Sequence, residues 1–264
     1  MKYNFDLKGK IAVITGAERG IGFEIAKGFA QSGASVAIAG MREEEFENAK
    51  CGVESEGAEC ICIKTDVSCE DSVKNMVKQV REHFGRIDIL VNNAGFGICG
   101  EFLKTDLSRE LDMIDLNIKA LHALTKLFLR DFTAKNKGYI LNVASSAAFM
   151  PGPLLSSYYA SKAYVLRLDR AVNTELKKMK SDVRISTLCP GPVKTEFDEV
   201  ANVKFSLKGL DARFVAEYAV KKMFARKEVI VPGWQMKLMR PLQKIIPDFI
   251  LCKIAYHIQK RKIY

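Results

Sequence analysis

Hydrophobic positions in this chain follow two alternating rhythms. Short runs rich in Val, Ile, Leu and Ala recur at 10–14, 35–39, 59–64, 87–91, 139–143, 184–188 and 229–231. Several of these are apolar at consecutive positions, as parallel strands buried on both faces require; a half-exposed strand would alternate. Between them lie amphipathic segments of helical period near 21–32, 43–56, 70–84, 106–135, 157–180 and 211–226. Strand–helix alternation sustained through seven strands predicts an α/β fold. The expected architecture is a single Rossmann-type, doubly wound domain, with about seven parallel strands flanked by helices on both faces. No repeat, low-complexity tract or linker interrupts the pattern. Residues 1–233 therefore read as one domain and 234–264 as a helical C-terminal extension.

Composition narrows the picture. A length of 264 residues suits one large α/β domain, and 48% hydrophobic with 27% charged residues excludes a disordered, collagen-like or disulfide-stapled chain. The net charge of +10 is uneven: positions 236–264 carry seven basic residues against one acid, Asp248. A basic tail on a mildly basic body, with no interleaved aromatic platform, argues against nucleic acid as a partner. Seven scattered cysteines with three histidines and no CxxC pair support neither a metal site nor a disulfide framework. Cys60 and Cys62 share one face of a strand as small hydrophobes. The N-terminus has no apolar signal core and no stretch is long enough to span a bilayer, so a reducing cytoplasm is expected.

The first strand runs into Thr15-Gly16-Ala17-Glu18-Arg19-Gly20-Ile21-Gly22, followed at once by a helix. Glycines 16, 20 and 22 allow a tight turn and a close backbone approach, and the helix N-terminus offers N–H groups and dipole to a pyrophosphate. The second strand ends at Gly40-Met41-Arg42 with no acid at its tip, where a carboxylate would hold a free ribose diol. Arg42 there and Arg19 in the glycine turn favour NADP(H) over NAD(H) as cofactor. Tyr158 and Lys162 stand four apart on a predicted helix and so share a face. An ammonium beside the phenol is expected to lower the Tyr158 pKa and make it a proton donor and acceptor near neutrality. Tyr159 is a rival, but lacks the four-residue spacing to Lys162. Ser145 follows the strand at 139–143, at the carboxyl edge where such sheets bind ligands; it could equally cap the next segment.

These residues stand in order with Asp66-Val67, Asn92-Asn93-Ala94-Gly95, Asn117 and Pro190-Gly191-Pro192-Val193-Lys194-Thr195. Together, over roughly residues 7–233, they resemble the short-chain dehydrogenase/reductase family. The resemblance implies a cofactor site of Gly16, Arg19, Gly20, Ile21, Gly22, Arg42, Asp66, Val67, Asn93, Ala94, Gly95, Tyr158, Lys162, Pro190, Gly191, Val193 and Thr195. In it Asp66 would hold the adenine amino group, Asn93 would sit under the adenosine ribose, and Val193 and Thr195 would hold the nicotinamide carboxamide. It implies a catalytic set of Asn117, Ser145, Tyr158 and Lys162, with Asn117 at a helix bend fixing a water that relays protons towards Lys162. The reaction implied is metal-free hydride exchange between a nicotinamide and a ketone or secondary alcohol.

Phe96, Gly97, Phe149, Met150, Leu154 and Leu155 are placed to line a substrate pocket. They carry no charge, and the mixed segment 197–210 (Phe197, Val200, Val203, Phe205, Leu207) reads as a lid, so a bulky hydrophobic substrate is expected. A hydroxysteroid or bile acid fits, and a 3-oxoacyl thioester of lipid metabolism is the alternative. A non-catalytic nucleotide-binding scaffold is a third reading, opposed by the intact catalytic set. In the extension, Pro241 and Pro247 are expected to break the chain into short helices. The last helix would set a stripe of Leu251, Ile254, Ala255 and Ile258 against Lys253, His257 and Lys260. That helix could dock on its own core or a sister subunit, cover the substrate mouth, or touch a membrane surface through Trp234 and Lys260-Arg261-Lys262. By analogy with the family, pairing through the helices near 106–135 and 157–180 would make a homodimer or homotetramer.

Overall fold

The computed structural model describes residues 5–197 and 209–263. Seven strands form one parallel sheet in the order β3-β2-β1-β4-β5-β6-β7. They are β1 (Ile11–Thr15), β2 (Ser35–Gly40), β3 (Cys60–Lys64), β4 (Ile89–Asn92), β5 (Tyr139–Val143), β6 (Arg184–Leu188) and β7 (Val229–Ile230). The helices are α1 (Gly20–Ala30), α2 (Phe46–Glu54), α3 (Glu70–Phe84), α4 (Leu107–Ile114), α5 (Leu121–Ala134), α6 (Ser156–Lys178), α7 (Ala212–Phe224), α8 (Trp234–Ile245) and α9 (Asp248–Ile263). The seven expected strands and the doubly wound architecture are all present.

The continuous apolar runs bury alternate residues on opposite faces. Ala12, Ile14, Val36, Ile38, Val91 and Leu141 meet α1, α2 and α7, while Val13, Ala37, Leu90, Ile140 and Ile185 meet α3, α5 and α6. Cys60 and Cys62 lie together on the first of these faces, and all seven cysteines are thiols. The strand order reverses between β1 and β4, so a crevice opens at the carboxyl edge of those strands.

The segment 106–135 is helical throughout, as expected, and its bend is a turn of π-helix, Asp115–Ala120, that joins α4 to α5. One expectation about the extension is corrected. Pro241 does not break the extension, because α8 runs through it. The proline has no N–H to bond the Lys237 carbonyl, a loss that a helix as exposed as α8 tolerates. The break falls at Pro247, between α8 and α9. Val200, Val203, Phe205 and Leu207 of the expected lid lie outside the described residues. So do the Arg261 and Lys262 side chains. No described helix is long and apolar enough to cross a membrane.

Candidate active site

A cavity of about 800 Å³ occupies the carboxyl edge of the sheet. The glycine turn forms one wall. Gly16 and Gly20 have φ of 60° and 61°, a region that favours glycine. A Cβ on Gly22 would stand 2.5 Å from the Asn93 side chain and 2.7 Å from the Gly16 carbonyl. Arg19 precedes α1 without any side-chain cap, which leaves the first-turn N–H groups to a ligand. A bare helix start beside a turn that excludes side chains is what a pyrophosphate needs, so these residues fit a dinucleotide.

Asn93, Ala94 and Gly95 line the same cavity, with Ile21, Asp66 and Val67. Asn93 donates through its amide to the Thr15 and Gly16 carbonyls, at 3.0 and 2.7 Å, tying β4 to the glycine turn. Thr15, which the sequence reading passed over, accepts the Asn93 and Ala94 N–H groups at 3.0 and 3.1 Å. Asp66 accepts the Ser68 N–H at 2.9 Å, so its carboxylate is held at the cavity edge by its own turn.

The tip of β2 differs from expectation. Sequence order places no acid there, but Glu18 reaches across from the glycine turn and accepts the Met41 and Arg42 N–H groups at 2.9 and 3.3 Å. Gly40 makes this possible, since a Cβ on it would lie 1.9 Å from the Glu18 carboxylate. Arg19 and Arg42 both pair with Glu45, at 3.7 and 3.5 Å. Glu18, Arg19 and Arg42 all line the cavity. The adenosine end therefore carries both signs of charge.

At the other end, α6 brings Tyr158 and Lys162 into the cavity, both buried. Ser145 follows β5; it caps the next turn by accepting the Ala147 N–H at 3.1 Å, and it lines the cavity beside Tyr158. Lys162 Nζ donates to the Val143 carbonyl at 3.1 Å and lies 5.7 Å from the centre of the Tyr158 ring. The expected lowering of the Tyr158 pKa is not found. Burial pushes the phenol well above its ordinary value, and the neighbouring Ser145 hydroxyl offsets this in part. Burial also lowers Lys162, to about 8, since an ammonium loses its hydration there.

Asn117 sits in the π-turn, buried, as the resemblance implied for a bend. Its amide donates to the Phe96 carbonyl at 2.8 Å and to Ser161 Oγ at 3.2 Å, and its oxygen accepts the Phe96 N–H at 3.2 Å. It thus clamps the loop after β4 against α6. A Cβ on Gly95 would lie 2.7 Å from Asn117 Oδ1 and 3.4 Å from Lys162 Nζ, so that glycine lets the two side chains approach one space.

Pro190, Gly191, Val193 and Thr195 close the floor, and Phe96, Phe149, Met150 and Leu155 line the substrate side. Two expected lining residues do not face the cavity. Gly97 packs behind the Tyr158 ring, where its Cβ would stand 3.2 Å from a ring carbon. Leu154 has φ of 67° and is turned into the protein, its carbonyl accepting the Gly100 N–H. Arg109, Asp112 and Asp115 add charge to the wall, contrary to the uncharged pocket expected. The extension supplies Met236, Met239, Gln243, Ala255, Ile258 and Gln259 to the same cavity. Of the positions left open for it, docking on its own core is met by the buried inner row of α9, and the same elements line the cavity as a cover would. The stripe is also corrected: α9 buries Leu251, Ala255 and Gln259, whereas Ile254 and Ile258 are each 47% exposed.

The sequence model described as short chain dehydrogenase matches residues 10–204, more than half of the chain. The chain belongs to the short-chain dehydrogenase family. It is 32% identical over 199 residues to the short chain dehydrogenase MYCFIDRAFT_6125 of Pseudocercospora fijiensis, a match of 74% of this chain and 63% of that protein's length. It is 30% identical over 214 residues to an uncharacterized oxidoreductase of Staphylococcus epidermidis, covering 81% of this chain and 90% of that one. Among solved structures, a short-chain dehydrogenase/reductase of Burkholderia phymatum in complex with NAD superposes with a TM-score of 0.82 at 25% identity, over 90% of this chain and 94% of that chain. An alcohol dehydrogenase of Thermococcus sibiricus complexed with 5-hydroxy-NADP gives 0.74 at 29% identity, over 84% and 95%. The family is one of NAD(P)-dependent dehydrogenases and reductases acting on alcohol and ketone groups, and this chain is an enzyme of that class.

Proposed function

We propose that this enzyme interconverts a secondary alcohol and a ketone on a bulky apolar substrate of hydroxysteroid or bile-acid type. The observation that carries the reading is the meeting of Ser145, Tyr158 and Lys162 in one cavity with the glycine turn. The bound nicotinamide supplies or accepts the hydride. Ser145 holds the substrate oxygen against the Tyr158 hydroxyl, and Tyr158 gives that oxygen its proton in reduction or removes it in oxidation. Lys162, as a cation, stabilises the phenolate that forms. Asn117 fixes the loop that carries Gly95 and Phe96 beside them.

Arg19 and Arg42 favour NADP(H), and Glu18 limits that preference, so both cofactors serve with modest discrimination. Solvent-exposed ion pairs to Glu45 hold the arginines weakly, and they are free to turn to a 2′-phosphate. A 3-oxoacyl thioester is the second substrate reading; the basic tail would then receive an acidic carrier. Exposed Leu107, Leu111, Ile114 and Leu127 on α4 and α5 support pairing of two copies through those helices. The test is loss of reduced-nicotinamide absorbance with oxosteroids, oxo-bile acids and 3-oxoacyl thioesters. Turnover of the steroid nucleus supports the reading, and turnover of thioesters alone replaces it with the second.

A further inference from the structure

We infer that Tyr159 and Gln259 form a polar subsite that binds a hydroxyl group of the substrate remote from its reacting carbon. The inference rests on the alcohol–ketone reading and extends it to what the far end of the substrate must carry.

The inward face of α9 presents Leu251, Ala255 and Gln259, spaced by four, so a glutamine ends an otherwise apolar row. A primary amide in that position costs free energy unless both its ends are bonded. Gln259 is 2% exposed. Its Nε2 donates to the Tyr159 hydroxyl at 2.8 Å, while Oε1 is buried and has no partner among the described residues. Tyr159 is held firmly for this contact. Its ring lies over Gly152, where a Cβ would come within 2.3 Å of it, and its centroid is 6.2 Å from that of Tyr158. Burial pushes its phenol up to about 12, so it keeps its proton and remains a donor. Tyr158, Tyr159 and Gln259 all line the one cavity.

The chemistry of the pair selects its ligand. With the amide in this orientation, the free end is an acceptor beside the Tyr159 O–H donor. With the amide turned over, the free end is a donor and the Tyr159 proton goes to Oε1. A hydroxyl group, both donor and acceptor, satisfies either arrangement; a carbonyl satisfies one. No cation bonds this pair: Lys253 and Lys260 of α9 are exposed, Lys162 is bonded to Val143, and Arg109, on the wall of the same cavity beside Asp112 and Asp115, bonds neither Tyr159 nor Gln259, so the pair itself selects a neutral group. The substrate class is thus an apolar ring system with a ketone, or secondary alcohol, at one end and a free hydroxyl further along.

The test compares androsterone, a hydroxylated ketosteroid, with the androstanone that lacks its hydroxyl. kcat/KM is measured for each with the wild type, Gln259→Leu and Tyr159→Phe. The wild type is expected to favour androsterone by about tenfold or more, as a site built around a hydroxyl rejects the analogue without one. Both variants should bring that ratio towards one. Tyr159→Phe changes a single oxygen, so it decides the matter should Gln259→Leu loosen α9. A wild type that reduces both ketones without preference overturns the subsite and leaves the alcohol–ketone reading standing. Variants that lower both rates together, with the ratio intact, overturn it as well, since that marks a packing role. Cofactor binding with turnover of neither ketone overturns the underlying reading, and the subsite with it.

Discussion

Replacing Glu18 by Gln should shift cofactor preference towards NADP(H). Glu18 is anchored to the Met41 and Arg42 N–H groups at the tip of β2, where the adenosine ribose of a dinucleotide sits in this fold. A 2′-phosphate bound at that tip would meet the like charge of the carboxylate. Two like unit charges about 5 Å apart repel by about 3 kcal/mol at an effective dielectric constant near 20. Partial exposure of Glu18 screens this, leaving about 1–2 kcal/mol, or roughly tenfold in affinity. Glutamine keeps the length and one acceptor oxygen for the backbone, so the glycine turn keeps its shape, while the charge is lost. Dissociation constants for NADH and NADPH, read from nicotinamide fluorescence, give the ratio directly. The expected result is a gain of about tenfold for NADPH over NADH. An unchanged ratio, or a shift towards NADH, would refute the reasoning and leave Arg19 and Arg42 as the determinants.

Three further outcomes follow from the same structure. Burial lowers Lys162 to about 8, so its cation is lost as pH rises through that value, and kcat/KM for ketone reduction should fall above about pH 8 in a pH–rate profile. Asp169, bonded to Asn142 and Thr187 at 2.8 Å each, has its carboxyl pushed up to about 7 by burial. The folded state then binds more protons than the unfolded one from about pH 4 to 7, and wild-type stability is lost across that window as pH rises. Asp169→Asn keeps both partners, and its unfolding free energy relative to wild type should improve by a few kcal/mol between pH 4 and 7 in denaturant titrations. Gly22→Ala would press a methyl group on Asn93 and the Gly16 carbonyl, and should weaken NADH binding at least about tenfold, checked by fluorescence titration, with a loss of about 1–3 kcal/mol in stability.

How much of this was legible in the sequence depended on whether the cause was local. The strands emerge to within two residues at each end because both of their faces are buried, which forces consecutive apolar positions. Tyr158 and Lys162 converge because a helix repeats every 3.6 residues, and the glycine turn because no side chain fits it. Glu18 was missed because the acid of the β2 tip arrives from a residue far earlier in the chain, made room for by Gly40. The face of α9 was misread for a related reason. Its outer side is apolar too, with Phe249 and Ile254 exposed, so periodicity could not tell which side docks. The polar Gln259 turned inward because Tyr159 offers it a partner. The Tyr158 pKa was misjudged because spacing gives neighbourhood without burial, and burial dominates here.

The central claim is that Tyr158 moves the proton while the cofactor moves the hydride, and Tyr158→Phe tests it most directly. Reduced-nicotinamide absorbance should show turnover of an oxosteroid by the wild type and a loss of about a hundredfold or more in the variant. NADPH and NADH should bind that variant within about twofold of wild type, since the phenol acts on the substrate and not on the pyrophosphate. Retained turnover in Tyr158→Phe would contradict the account.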